Sequence, residues 1–303
     1  MASKTDQTVF DDDDQLSDYM TDMRAQDTRQ VSEPSAAREI IDTFRAATDV
    51  SPWASLDRSE VADRLHALID NPRAIHQGQL NLCGPAALIC IWASRDPVAF
   101  ANYATQLFDN GAGDIGSLVI TPSQELLNQD YAQMRAKMSG DVTEQADWMV
   151  LGALRNTTNV FWQGEWVGDP AQELAGLTRP EELASWLEAT GIYSSVRNQG
   201  NWVTPAGIPQ ATSVVMAEGT DVALLIHINL INAAKKNREI DHTFLLNQFP
   251  NHYVVALNEI MVDIRTKDVS LSVWTWGEDE LNLVVPMQDF VDNYYGAIVA
   301  RLS

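Results

Sequence analysis

Over residues 37–70 the apolar residues recur at helical spacing. Ile40, Ile41 and Phe44 form one group and Val61, Leu65, Leu68 and Ile69 a second, and Ser51-Pro52 divides the stretch into two helices. The run Ala86-Ala87-Leu88-Ile89-Cys90-Ile91-Trp92 is apolar on all sides and predicts a buried third helix. It is entered through Gly84-Pro85, with Pro85 in the first turn, where a missing N–H costs nothing. Pro97-Val98-Ala99-Phe100 opens a helix ending near Asn110-Gly111, and residues 121–126 read as a capped helix start. Residues 146–155 and 180–190 predict two more helices, the latter stopped by Gly191.

The period then changes. Residues 214–216, 221–229, 252–264 and 269–276 are rich in Val, Ile and aromatics and read as strands, with a hairpin turn at residues 265–268. Residues 281–285 and 294–300 add two short strands around a helical turn. Helices followed by antiparallel strands give an α+β class, with a helical lobe at about residues 37–190 and a β lobe at about 191–303. No internal repeat is visible. Residues 1–36 are acidic and poor in large apolar groups, with Asp11-Asp12-Asp13-Asp14 as the extreme, so they predict a disordered tail with one short helix near 16–23, serving solubility or docking.

Charge narrows the function classes. The chain has 303 residues and a net charge of -22. Such a surface repels nucleic acid and anionic membranes and attracts basic proteins. The most apolar candidate span, residues 222–231, is too short to cross a bilayer and contains His227. The two cysteines, Cys83 and Cys90, would lie roughly 10 Å apart along one helix, too far for a disulfide, which suits a reducing compartment. With no basic-then-apolar leader at the start, the expected location is the cytoplasm, or a target cell reached without a cleaved leader.

The candidate chemistry centres on Cys83, placed at the start of the apolar helix, where unpaired N–H groups and the helix dipole favour a thiolate and can face an oxyanion. Cys90, deep in the apolar run, reads as a core thiol. His252 follows Pro250-Asn251 and heads a strand, which suits a general base at a cleft edge. His227 reads as a sheet histidine, His242 as a loop residue, and His66 and His76 as weaker candidates. Gln77, across Gly78 from the cysteine, can return its amide N–H to the oxyanion. Trp162, Trp166, Trp186, Trp202, Trp274 and Trp276 read first as core. Gly111 to Gly116 has no strand before it to make a dinucleotide loop, no Cys/His spacing suits zinc, and Glu278-Asp279-Glu280 lacks the periodicity of a calcium loop. No cofactor is expected.

Gln77-Gly78 followed by Cys83 resembles the Gln-Gly…Cys pattern of papain-like cysteine peptidases. Cys83-Gly84-Pro85-Ala86-Ala87-Leu88 and His252-Tyr253-Val254-Val255 are similar to the bacterial branch that cuts double-glycine leaders and to related bacterial toxins. Trp276-Gly277 resembles the close of the family's Asn-Ser-Trp-Gly motif. The resemblance spans roughly residues 70–95 and 245–280. It implies a papain-like fold with Cys83 on the helical lobe and His252 on the β lobe. The implied activity is a cysteine protease acting on a protein substrate by an acyl-thioester, with Gln77 and the Cys83 N–H at the oxyanion. Glutamine deamidation or transglutamination uses the same apparatus. It further implies similarity to effectors delivered by systems such as type VI secretion, with an immunity protein as partner.

The chain departs from the family at the residue that orients the histidine. Trp274 stands where Asn or Asp belongs. A longer hairpin centred near Thr266-Lys267 would bring Asp279, Glu280 or Asn282 opposite His252, and Asp279 is the expected orienter. The departure also motivates a reading from another class, a catalytically dead binding or adaptor module.

Overall fold

The computed structural model describes residues 31–138, 142–159, 165–214, 216–235, 249–275 and 278–303. The acidic run and short helix expected within residues 1–30, and His242, Trp162, Trp276 and Gly277, lie outside them.

Helices fill the first half: α1 (Pro34–Ala46), α2 (Arg58–Asp70), a 3₁₀ turn (Pro72–Ala74), α3 (Cys83–Arg95) and α4 (Pro97–Asn110). A small hairpin, β1 (Gly113–Ile115) and β2 (Leu118–Ile120), precedes α5 (Gln124–Leu127), α6 (Tyr131–Lys137), α7 (Gln145–Thr158), α8 (Glu173–Gly176) and α9 (Pro180–Ala189). The second half holds β3 (Tyr193–Asn198), α10 (Ile208–Thr212), β4 (Thr220–Ile226), α11 (Asn229–Ala234), β5 (His252–Ala256), β6 (Met261–Asp263), β7 (Asp268–Thr275), β8 (Glu278–Pro286), α12 (Met287–Asn293) and β9 (Tyr294–Leu302). The class is α+β.

Local chemistry accounts for the helix ends. Asp57 and Asp96 accept the backbone N–H of Glu60 and Ala99 at the starts of α2 and α4, and Gly111 closes α4 at φ 68°. Ser123 caps α5, which lasts a single turn. The Gly-rich stretch that superficially resembled a dinucleotide loop is the β1–β2 hairpin.

The larger sheet is antiparallel, in the order β3-β9-β4-β5-β7-β6, with β8 on β7. Its inner strands β4, β5 and β9 read as nearly continuous apolar runs because both faces are covered. Along β4, Ala223 and Leu225 join the core shared with the helices, whereas Val222, Leu224 and Ile226 join a second core under α10–α12.

Several expectations change. α1 begins at Pro34, inside the predicted tail, because Ala37, Ile41 and Phe44 anchor it in the core. β3 was not foreseen, being an edge strand of mostly exposed residues with no apolar run. Val214 and Met216 lie outside any strand, and residues 227–229 turn from β4 into α11. The predicted strand 252–264 is two strands with a break between them. Among the described residues no helix is long and apolar enough to cross a membrane.

Two ionisable side chains of α7, Asp147 and Arg155, are wholly inside. Arg155 on α7 is 0% exposed; it donates to Glu182 Oε1 at 3.0 Å and to the Leu177 carbonyl at 2.9 Å, and lies over the Trp186 ring. This holds the segment 177–182 against the helical lobe. Arg155→Met leaves the buried Glu182 with only the partly exposed Arg179, at 3.4 Å, as its cation, and is expected to lower unfolding free energy by about 3 kcal/mol in urea titrations. A loss under about 1 kcal/mol would mean that the pair is dispensable.

Candidate active site

Cys83 opens α3, as the sequence suggests. The approach to it is an irregular loop in which Gly78 (φ 54°) and Asn81 (φ 53°) both adopt the left-handed region. Thr143 Oγ1 donates to the Gln77 carbonyl at 2.7 Å, and Arg64, paired with the buried Asp147, donates to the Ala74 carbonyl. These contacts brace the segment that carries Gln77. A Cβ on Gly84 would lie 2.3 Å from Thr178 Oγ1, so the residue after the cysteine must be glycine for segment 177–182 to seat on the helix start.

Cys83, His252 and Gln77 come together. With Ile75, Ala86, Tyr253 and Trp274 they line one narrow gap between α3 and β5, too tight for a water molecule. The Cys83 thiol lies 3.8 Å from the Asn251 carbonyl. The backbone N–H groups of Tyr253, Gly84 and Cys83 itself face the sulfur and favour ionisation, as expected at a helix start. Burial outweighs them, and the thiol is pushed up to about 11. The expected thiolate is therefore corrected: in this closed arrangement Cys83 is a neutral thiol. Burial also lowers the His252 imidazole to about 3, so the ring is neutral too. Gln77 is 5% exposed and its Oε1 has no hydrogen-bond partner among the described residues, a cost of about 1–3 kcal/mol.

Asp279 does not take the orienting position. It is exposed and accepts from Asn71 Nδ2 at 2.9 Å, whereas His252 Nε2 is 2.7 Å from Thr275 Oγ1 on β7. The cause is register. β6 and β7 pair Asp263 with Asp268 and Met261 with Ser270; a straight ladder continued from there would set position 279 opposite 252. Between the two strands the ladder slips by two residues, so that Val255 faces Trp274 and Ala256 faces Val273. Asn258 pins the slip, accepting from Ser272 N–H at 2.6 Å and donating to Ser272 Oγ at 3.0 Å. Thr275 was missed. The Asn258-Glu259 pair within an otherwise apolar run was the signal for a break.

The remaining candidates resolve simply. His227 Nδ1 accepts from Asn229 N–H at 3.1 Å, and His66 pairs with Asp42 at 3.0 Å on the surface. Cys90 is a free core thiol, like Cys83. Trp166, Trp186 and Trp274 are buried core residues, and Trp274 Nε1 donates to the Arg73 carbonyl at 2.6 Å. Among the described residues no group of three His, Cys, Asp or Glu side chains could hold a metal ion. No protein-family model matches the chain, and no curated protein is similar to it at a significant level.

Two measurements test this electrostatic description. Iodoacetamide capture of Cys83, read by intact mass, should keep accelerating with pH past the ordinary thiol value of 9.0 toward about 11. A plateau below about pH 8, lost in His252→Ala, would mean a thiolate–imidazolium pair in the free protein. His252, held neutral, contributes stability that is present above its ordinary 6.5 and lost as pH falls toward about 3. The stability gap between the natural protein and His252→Leu should therefore shift by a few kcal/mol over that window. A pH-independent gap counts against burial of the neutral ring.

Proposed function

We propose that this protein is a thiol acyl-transfer enzyme of papain-like type, acting as a cysteine protease on a protein substrate. The observation that carries the reading is the meeting of Cys83, His252 and Gln77, distant in sequence, at one gap between the first turn of α3 and the head of β5.

The chemistry follows from the groups present. Thr275 engages Nε2, so Nδ1 is the nitrogen that exchanges a proton with the thiol. The ring removes the thiol proton as sulfur attacks the substrate carbonyl. An acyl-thioester forms, and the imidazolium returns the proton to the leaving amine. Water, deprotonated by the same ring, then releases the acid. Backbone N–H groups at the sulfur and the Gln77 amide are available to the oxyanion. The hydroxyl of Thr275 can hold the ring's tautomer but carries no charge to stabilise the imidazolium, so this dyad is a weaker base than a triad.

Closure has a consequence for timing. Both groups are neutral in the dry gap, so ionisation accompanies the opening that admits substrate. A second reading, a binding module on the same framework, is favoured by one observation: the thiol's hydrogen-bond partner is the Asn251 carbonyl, not the imidazole.

The test is terminal profiling of a bacterial lysate treated with the full-length protein. New protein N-termini should appear with the natural chain and vanish with Cys83→Ala. Gln77→Ala should slow their appearance about a hundredfold. Glutamine mass shifts or cross-links without new termini would reassign the enzyme to deamidation or transglutamination. Identical profiles for the natural protein and Cys83→Ala would favour the binding module.

A further inference from the structure

A second cavity lies away from Cys83, at the opposite end of the same two elements. It measures about 350 Å3, and its wall includes Cys90, Ile91 and residues 93–95 at the end of α3 and residues 255–257 at the end of β5. The pairing of β4 with β5 runs from Ile226–His252 to Ala223–Val255 and goes no further, and the cavity opens beyond it, with Thr220 and Asp221 on one side and Leu257 on the other. This volume falls in the range of small-ligand sites.

Its charge is unusual for so acidic a chain. Three arginines, Arg38, Arg73 and Arg95, line one cavity in a protein of net charge -22. Two are neutralised in place: Arg38 pairs with Asp70, and Arg95 holds Asp221 through two nitrogens at 2.9–3.2 Å. Asp221 is held further by the Tyr193 hydroxyl at 2.8 Å. No carboxylate among the described residues pairs with Arg73, although its own carbonyl is fixed by the Trp274 indole. Arg73 itself lines the cavity. The lining thus carries one cation in excess beside the apolar surfaces of Ile91, Val255 and Leu257.

We propose that this cavity binds a small organic carboxylate, with its anionic head on Arg73 and its alkyl body against Ile91, Val255 and Leu257. A single negative charge matches the single unpaired cation, whereas a phosphate dianion would also face Asp70 and Asp221. The site is independent of the acyl-transfer reading.

The experiment is calorimetric titration of the full-length protein with hexanoate, with hexanamide as the neutral analogue of the same shape. Hexanoate should bind saturably at one site, and hexanamide at least about tenfold more weakly. Arg73→Gln should weaken hexanoate by a similar factor, Arg73→Lys by less, and Arg265→Gln, at an exposed hairpin turn, not at all. Equal binding of acid and amide overturns the proposal. So does equal weakening by Arg73→Gln and Arg265→Gln, or no saturation at tens of millimolar. Unchanged unfolding midpoints in the ligand-free variants separate a lost contact from a lost fold.

Discussion

The architecture turns on one helix that has no solvent face. In α3, from Cys83 to Arg95, every residue but Ser94 is buried. Such a helix cannot lie on a surface; it must be wrapped. α4, α7 and α9 cover part of it and β5 covers the rest. The helical half and the sheet therefore meet along it, and its first turn lies at the seam. A cysteine at the head of this helix is thereby placed against the strand that begins with His252. The site is a by-product of the burial, which is why residues so far apart in the chain meet without a disulfide or a metal among the described residues to draw them together.

The same burial sets the electrostatics. A helix start and three backbone N–H groups pull Cys83 toward the thiolate, while removal of water pushes it toward the thiol, and the second effect is the larger. His252 loses its charge for the same reason. The thiol and the imidazole are thus matched in being neutral, and neither provides the counter-charge the other would need. Backbone N–H groups and a neutral imidazole meet at the gap that holds the sulfur, and none of them offsets the loss of water. The unpaired Oε1 of Gln77 belongs to the same pattern, a buried polar group with no partner among the described residues.

Much of this was legible in the chain. Apolar runs with flanking proline and glycine located α4 and α9 to within a residue at each end and the start of α3 to within two, and the placement of Cys83, Gln77 and His252 at one seam follows from cysteine and histidine each heading a buried element. Two kinds of information were not local. Edge strand β3 carries Ser194, Ser195 and Arg197 toward solvent and forms because β9 offers a partner, not because its own pattern demands it. The residue opposite His252 depends on a two-residue slip in the ladder, and a side-chain period of two cannot count residues lost in a bulge. Asp279 followed from an unbroken hairpin; Asn258 breaks it, and Thr275, diagonal to His252 in the shifted register, reaches the ring instead.

The seam between α3 and β5 has two ends with opposite chemistry, and a shared apolar middle explains how both persist. Near Cys83 the gap is dry and polar atoms are starved of partners. Near Arg95 the walls part, charged side chains enter and ion pairs hold the rim. Between them Ala86, Ala87 and Cys90 of α3 pack with Tyr253 and Val255 of β5 in one core. Small residues on the helix let the strand approach closely at the sulfur, while the end of β4–β5 pairing lets the walls separate at the arginines. Because both elements are packed along their length, a displacement that opens one end must shear or tilt the contact at the other. The geometry of Cys83 against β5 is therefore a property of the whole seam, including the arginine-lined end where no chemistry is required.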